Sequence, residues 1–317
     1  MATQKSTDVL VVGELNVDLI LNGMPQLPVV GKEVLADQMD LTMGSSSAIF
    51  ASNLSTLGTR VAFIGRLGTD SFGDLMLTSL NAKGVDTKAI MRSPDYPTGI
   101  TVILNFGEDR AMVTHTGAMK HLTVADVTDE AILSARHLHM SSVFLQEGIY
   151  SDVVSLFHRA KQLGLTTSLD PQWDPSEKWN LPWSELLPFV DVFMPNIAEL
   201  SALTGTDDLT LALRSLKSFA NKVVVKSGSV GAYLWENDSM IFQPSFLNKN
   251  VIDSIGAGDS FDSGFIHYYL LGKTDQECLE FGALTGAINT TRAGGTTAFA
   301  NIAMVRSIAQ STFNHTF

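Results

Sequence analysis

The chain has 317 residues, 45% of them hydrophobic and 17% charged, with a formal net charge of -12 and a lone cysteine. That balance excludes a disordered chain and a disulfide framework, and the acidity argues against nucleic-acid binding, which needs a basic footprint. The first residues carry no apolar signal-peptide core and no apolar run reaches membrane-spanning length, so the expectation is a cytoplasmic protein with neither membrane nor nucleic acid as partner. Cys278 lies in an apolar helical pattern and reads as a buried, inert thiol.

Asp8-Val9-Leu10-Val11-Val12-Gly13 is a continuous apolar run ending in glycine, as expected for a buried parallel strand whose C-terminal end faces a site. Asn16 and Asp18 follow at that end; an amide and a carboxylate so spaced suit neighbouring hydroxyls, but taken alone they more often make a turn. Residues 33–41 read as extended. Gly44-Ser45-Ser46-Ser47 then opens a helix through Ala48, Ile49, Ala51, Leu54 and Leu57, ended by Gly58. Arg60–Gly65 is a second buried strand, and Asp70 caps a helix that runs through residue 83. Strands from Gly99 to Phe106 and from Arg110 to His115 flank a polar turn and form a hairpin, on which Arg110 and His115 either reach a ligand or stay solvated.

Beyond residue 120 the pattern alternates: strand 136–140, helix 150–163, strands 166–170 and 190–194, helices 196–204 and 207–220. Such alternation predicts a parallel sheet. His137 and His139 share a strand face without a third ligand nearby, and read as ordinary strand positions rather than a metal pair. Val223–Ala232 reads as strand, glycine turn, strand, with Gly228 and Gly231 permitting close backbone approach.

The decisive stretch is Asp253-Ser254-Ile255-Gly256-Ala257-Gly258-Asp259, followed by a helical pattern through Phe261, Phe265, Ile266, Tyr269 and Leu270. A loop opening a helix leaves the N–H groups of Gly256, Ala257 and Gly258 without intrahelical partners, facing whatever lies in front of the helix. Phosphate fits there, and Asp259 in the first turn is placed to take a proton from a hydroxyl. A dinucleotide fingerprint would need glycine where Phe261 stands. A P-loop ending at Gly272-Lys273-Thr274 would need glycine at His267.

The same seven residues resemble the Asp-Thr-x-Gly-Ala-Gly-Asp signature of the ribokinase-like (PfkB) carbohydrate kinases. Further matching segments run in order from Gly13 to Phe299: Gly13 with Asn16 and Asp18, Gly68-Thr69-Asp70-Ser71-Phe72-Gly73, Asn196-Ile197-Ala198-Glu199, Val223–Ala232 and Thr291–Phe299. The resemblance implies an α/β fold, a three-layer doubly wound mostly parallel sheet forming a single domain over 1–317. A small β-sheet lid built from segments about 14–24, 33–42 and 97–117 would also offer a homodimer contact. It implies ATP and Mg²⁺ as cofactors and a small sugar-like substrate as partner. Asp259 is then the general base, with Gly256, Ala257 and Gly258 as anion hole. Asn16, Asp18, Gly44, Ser45, Asn53 and Asp170 become substrate residues, and Asn196, Lys226, Ser227, Gly228 and Gly231 nucleotide residues. Glu199 would order magnesium through water, while backbone at Asp253 and Ile255 would hold K⁺.

The chain departs from the family pattern at four places. Ser45 stands for a second glycine, Ile49 for an asparagine, and Gln172 and Asp174 for an asparagine and an arginine. Two other readings stay open: a nucleoside kinase, with Phe106 or Trp173 stacking on a base, and a non-catalytic sugar or nucleotide sensor. For an acceptor carrying a carboxylate the candidate cations are Arg110, His115 and Lys120.

Overall fold

Alternate residues of the first strand, β1 (Val9–Val12), enter two different cores. Val9 and Val11 pack with Phe50, Phe63 and Phe265, whereas Leu10 and Val12 pack with Leu138, Leu156 and Phe157. A strand buried on both faces needs helices on both sides, which is why its run is continuously apolar rather than alternating. In the computed structural model, which describes residues 5–106 and 109–317, that demand is met by a nine-stranded central sheet between helices.

Beside β1 the chain contributes β2 (Asn16–Asn22), β3 (Gln38–Met43), β4 (Val61–Gly68), β5 (Ile90–Ser93), β6 (Gly99–Phe106), β7 (Asp109–His115) and β8 (His137–Ser141). It continues with β9 (Thr166–Asp170), β10 (Val192–Phe193), β11 (Lys222–Lys226), β12 (Gly231–Glu236) and β13 (Ser239–Pro244). The central order is β13-β12-β11-β10-β9-β8-β1-β4-β5; all pairings are parallel except those of β12 with β11 and β13. This is the doubly wound, mostly parallel sheet expected from the sequence. The order reverses at β1, with β8 on one side and β4 on the other, and ligands gather at the carboxyl ends beside such a switch.

A separate four-stranded sheet of order β3-β2-β6-β7 stands beyond those ends. Its β6–β7 hairpin was expected; the turn residues Gly107 and Glu108 lie outside the described residues. Cross-strand register puts Asp18 opposite Thr101, Thr101 opposite Thr114, and Ile103 opposite Met112 on the cleft side. The other side aligns Leu19 with Leu41 and Val102, and Val102 with Val113, an apolar face.

Several boundaries differ from the sequence reading. The extended segment becomes a strand only from Gln38, strand 190–194 shrinks to Val192–Phe193, and helix 207–220 to Leu209–Leu216, capped by Asp208. The expected helix from 150 splits into Glu147–Tyr150 and Val153–Gln162. Strands β5 and β13 and the C-terminal helix Ile302–Phe313 were not read at all. No helix among the described residues is long and apolar enough to cross a membrane.

Candidate active site

The carboxyl ends of β1, β8, β9 and β11 open on a cleft of about 1560 Å³, roofed on one side by the small sheet and closed on the other by the helix Ala257–Leu270. Gly256 caps that helix in the left-handed region at φ 73, and a Cβ there would lie 2.7 Å from Gly295 Cα. Only glycine satisfies both demands. The N–H of Ala257 donates to Ser254 O at 3.2 Å, so the donors left free at the helix mouth are those of Gly256, Gly258 and Asp259 rather than the expected trio.

Asp259 occupies the third helical position, only 7% exposed. Burial, and then the neighbouring Asp170 carboxylate, raise its pKa to about 7. Gln172 Nε2 donates to its Oδ1 at 3.0 Å and to Asp170 Oδ2 at 2.7 Å. Lys226 Nζ lies between Asp170 (2.7 Å) and Asp262 (3.0 Å) and is buried. Those two carboxylates hold its pKa well above the usual lysine value, despite burial pulling it down. Lys226, expected among the nucleotide residues, does line the cleft, with its ammonium paired to two carboxylates of the protein. Asp170, expected at the substrate, sits behind the cleft wall as one of its partners.

In the acceptor half of the cleft, Asn16 Nδ2 donates to Asp18 Oδ1 at 3.0 Å and to Thr101 Oγ1 at 3.1 Å, which fixes the amide and carboxylate predicted to bind hydroxyls. Burial raises the Asp18 pKa to about 7. Gly44 lies behind this pair, where any Cβ would collide with the Asp18 carboxylate. Ser45, in the place of a glycine, pays for a left-handed φ of 70 with three polar contacts. Its hydroxyl reaches Glu14 O at 2.7 Å and Glu14 Oε1 at 3.1 Å, and accepts the Ala48 N–H at 2.9 Å. Glu14, given no role by the sequence reading, lines the cleft 1% exposed, bonded also to Ser47. Its burial pushes its pKa up. A charged residue directly after the glycine that follows β1 was the available signal.

One further expectation is corrected, and several open candidates are placed. Asn53 is fully buried and donates to Ser260 Oγ and Gly295 O, both at 2.9 Å, tying the Ser46–Thr56 helix to the Ala257–Leu270 helix and the 290s loop rather than lining the cleft. His115 falls on the far side of the small sheet, while its neighbour Thr114 lines the cleft with Arg110; Phe106 and Lys120 do not line it either. Trp173 does, 47% exposed and edge-on to Trp179. Asp174 accepts the N–H groups of Ser176, Lys178 and Trp179, a loop cap in place of the family's guanidinium.

In the nucleotide half, Gly228 and Gly231 line the cleft with Phe246, Val251, Ala283 and Gly286, whereas Ser227 only closes the turn through its N–H to Gly231 O at 2.8 Å. Asn196 and Glu199 form a reciprocal cap: Glu199 accepts from Asn196 N at 2.8 Å and Asn196 Nδ2 at 2.6 Å. Burial raises the Glu199 pKa, with the Asp170 charge adding to it. Asp253 accepts from Ile255 N and Gly294 N, both at 2.9 Å, and Ile255 O accepts from Asn289 Nδ2 at 2.6 Å, so these two residues clamp the anion loop to the 290s loop.

His137 and His139 are indeed strand residues: both are buried, share the Ser168 hydroxyl at 2.7 Å, and are kept neutral by burial. Cys278 is buried, its thiol pushed up to about 12.

Residues 6–301 match the model of the pfkB family carbohydrate kinases. The chain belongs to that family. As a carbohydrate kinase it is an enzyme, and curated relatives agree over most of its length. It is 27% identical over 292 residues to a ribokinase of Haemophilus influenzae, covering 90% of this chain and 92% of the relative. A 2-dehydro-3-deoxygluconokinase of Bacillus subtilis is 29% identical over 256 residues, covering 77% and 79%. Among solved structures, Arabidopsis thaliana ribokinase complexed with ribose and ATP superposes with a TM-score of 0.83 at 25% identity, covering 95% of this chain and 97% of that one.

Proposed function

We propose that this kinase transfers the γ-phosphoryl group of ATP to a hydroxyl of a neutral, sugar-like acceptor. The observation that carries the reading is the position of Asp259: one buried carboxylate at the seam between a polar pocket of Asn16, Asp18 and Thr101 and a glycine-built helix mouth. As the acceptor oxygen bonds to phosphorus, Asp259 takes the hydroxyl proton. The bond to the leaving ADP breaks with its electron pair, and the N–H groups of Gly256 and Gly258 meet the charge on the phosphoryl oxygens.

Magnesium fits this arrangement through water and phosphate. Glu199 is a buried carboxylate at the cleft with both oxygens already capped, and no group of three His, Cys, Asp or Glu among the described residues could cage a metal. When bound, the ion supplies positive charge to the phosphates. The chain's own residues do the rest: Asn16 and Asp18 orient the acceptor, and the small sheet acts as the lid that keeps water from the nucleotide.

Glu14, Asp18 and Asp259 surround the acceptor pocket, while Arg110 and Lys178 are exposed at its rim. That charge pattern favours a neutral polyol over a carboxylate or phosphate ester. A nucleoside is the second reading, favoured by the half-exposed Trp173 face near Phe144 and Tyr150. The apolar outer face of the small sheet, with Met39, Leu41 and Val113 exposed, is the surface through which we expect a homodimer.

The test is ADP release from MgATP across pentoses, hexoses, keto-deoxy acids and nucleosides, with and without potassium, with Asp259→Ala as control. Stimulation by a neutral sugar that the control abolishes supports the reading. ATP binding with no stimulation by any acceptor points to a sensor.

A further inference from the structure

Gln172 stands where the family signature has an asparagine, and its geometry is unusual in three ways. Its backbone lies in the left-handed region at φ 57, which a branched-free but bulky side chain occupies only against strain. Its backbone N–H is held by Asp170 Oδ1 at 3.2 Å. Both reaches of its amide nitrogen end on carboxylates, Asp170 Oδ2 at 2.7 Å and Asp259 Oδ1 at 3.0 Å. The strained turn thus holds an uncharged donor between two acids that would otherwise repel.

Resting on the reading of Asp259 as base, we infer that Gln172 is its positioning residue: the amide pins Oδ1, so the acceptor proton is taken at Oδ2. A chain of contacts anchors it, from Lys226 through Asp170 and Gln172 to Asp259. An amide is the appropriate link. A carboxylate there would add a third negative charge, and a cation would pair with Asp259 and hold the base in its weakest form. An asparagine at the same Cα lacks the methylene needed to reach both acids. The longer residue is therefore the one that couples the β9 turn to the base.

The groups facing Asp259 are Asp170 from the end of β9, Lys226 from β11, Glu14 after β1, Ser46 at the start of its helix and Glu199 from the Ile197–Thr204 helix, with Asp262 one turn along its own helix. Two of the neutral ones donate to the carboxylate, the Ser46 hydroxyl and the Gln172 amide, the latter to Oδ1 at 3.0 Å. Donation to the charged form favours it, so loss of the amide moves the Asp259 titration upward, and a glutamate at that position moves it further.

The experiment is a ¹³C NMR titration of the full-length protein labelled at aspartate carboxyl carbons, with the Asp259 signal assigned by its disappearance in Asp259→Asn. Gln172→Ala is expected to titrate roughly one pH unit above wild type and Gln172→Glu higher still, with the melting temperature of each within a few degrees of wild type. Kinetics of ADP release read the same order as an acidic limb displaced to higher pH, with kcat about tenfold lower and KM for ATP unchanged. An Asp259 signal that titrates alike in wild type and both variants overturns the inference, whatever the turnover. Normal turnover in Asp259→Asn removes the base reading instead, and leaves the contact between the two side chains standing.

Discussion

The two halves of the cleft are built from different materials. The nucleotide half is mostly backbone and small residues: Gly228, Gly231, Gly256, Gly258, Ala283 and Gly286. The acceptor half is made of side chains with individual chemistry, namely Glu14, Asn16, Asp18, Ser45, Thr101 and Gln172. Phosphate is the same in every nucleotide and can be met by N–H groups that every residue owns, whereas hydroxyl pattern differs among acceptors and must be met by side chains. Of the four departures from the family pattern, Ser45, Gln172 and Asp174 fall on the acceptor side, and Ile49 packs against Gly256 and Gly295 at the anion loop. On the proposed reading, binding of the common ligand is largely separated from recognition of the particular one.

Substitutions that respect or cross this boundary test the division. The largest effect belongs at the seam. Asp259→Asn is expected to lower turnover by ~100-fold or more with ATP affinity nearly intact; single-turnover assays and nucleotide titration read the two separately, and near-normal turnover removes Asp259 from the mechanism. Gly256→Ala breaks the nucleotide half, since φ 73 and the nearby Gly295 both forbid a side chain. It should cost about 1–3 kcal/mol in denaturant unfolding and weaken ATP binding while sparing acceptor preference. Asp18→Asn does the converse, raising KM for the acceptor roughly tenfold with KM for ATP unchanged; equal rises in both would erase the boundary.

The smallest effect concerns pH. Asp259 has its folded pKa raised to about 7 from 3.8, so its contribution to stability is present below pH 3.8 and is lost as pH rises through 7. Catalysis needs the opposite, charged form, and kcat is expected to climb through an acidic limb near 7. Asp259→Asn should therefore melt above wild type at pH 8, with the gain shrinking toward pH 4. An unchanged melting temperature at both values would show the carboxylate is less buried than described.

The same boundary separates what the sequence made legible from what it did not. The anion loop is local: seven consecutive residues specify a left-handed cap, a helix and an acid. The continuous apolar runs of β1 and β4 likewise announced a sheet buried on both faces. The acceptor half depends on contacts between distant residues, such as Gln172 with Asp259 across 87 positions, which no spacing rule anticipates. The ion pairs of Lys226 were not legible because its partners Asp170 and Asp262 lie 56 and 36 positions away. Asn53 sat on a helix aimed at the site, yet its amide is spent on the neighbouring helix. Glu14 was in plain view, and only its burial against Ser45 and Ser47 distinguishes it from a surface acid.

The cluster of Asp170, Lys226 and Asp262 also restricts how this lineage can drift. Losing the lysine first would strand two buried acids, a step costly enough to eliminate most carriers, whereas neutralising Asp262 first leaves a simple pair. Substitutions at these three positions should therefore accumulate in a preferred order, with the lysine the last to go. Descendants that retain it beside an uncharged residue at 262 would be the waypoints of that route.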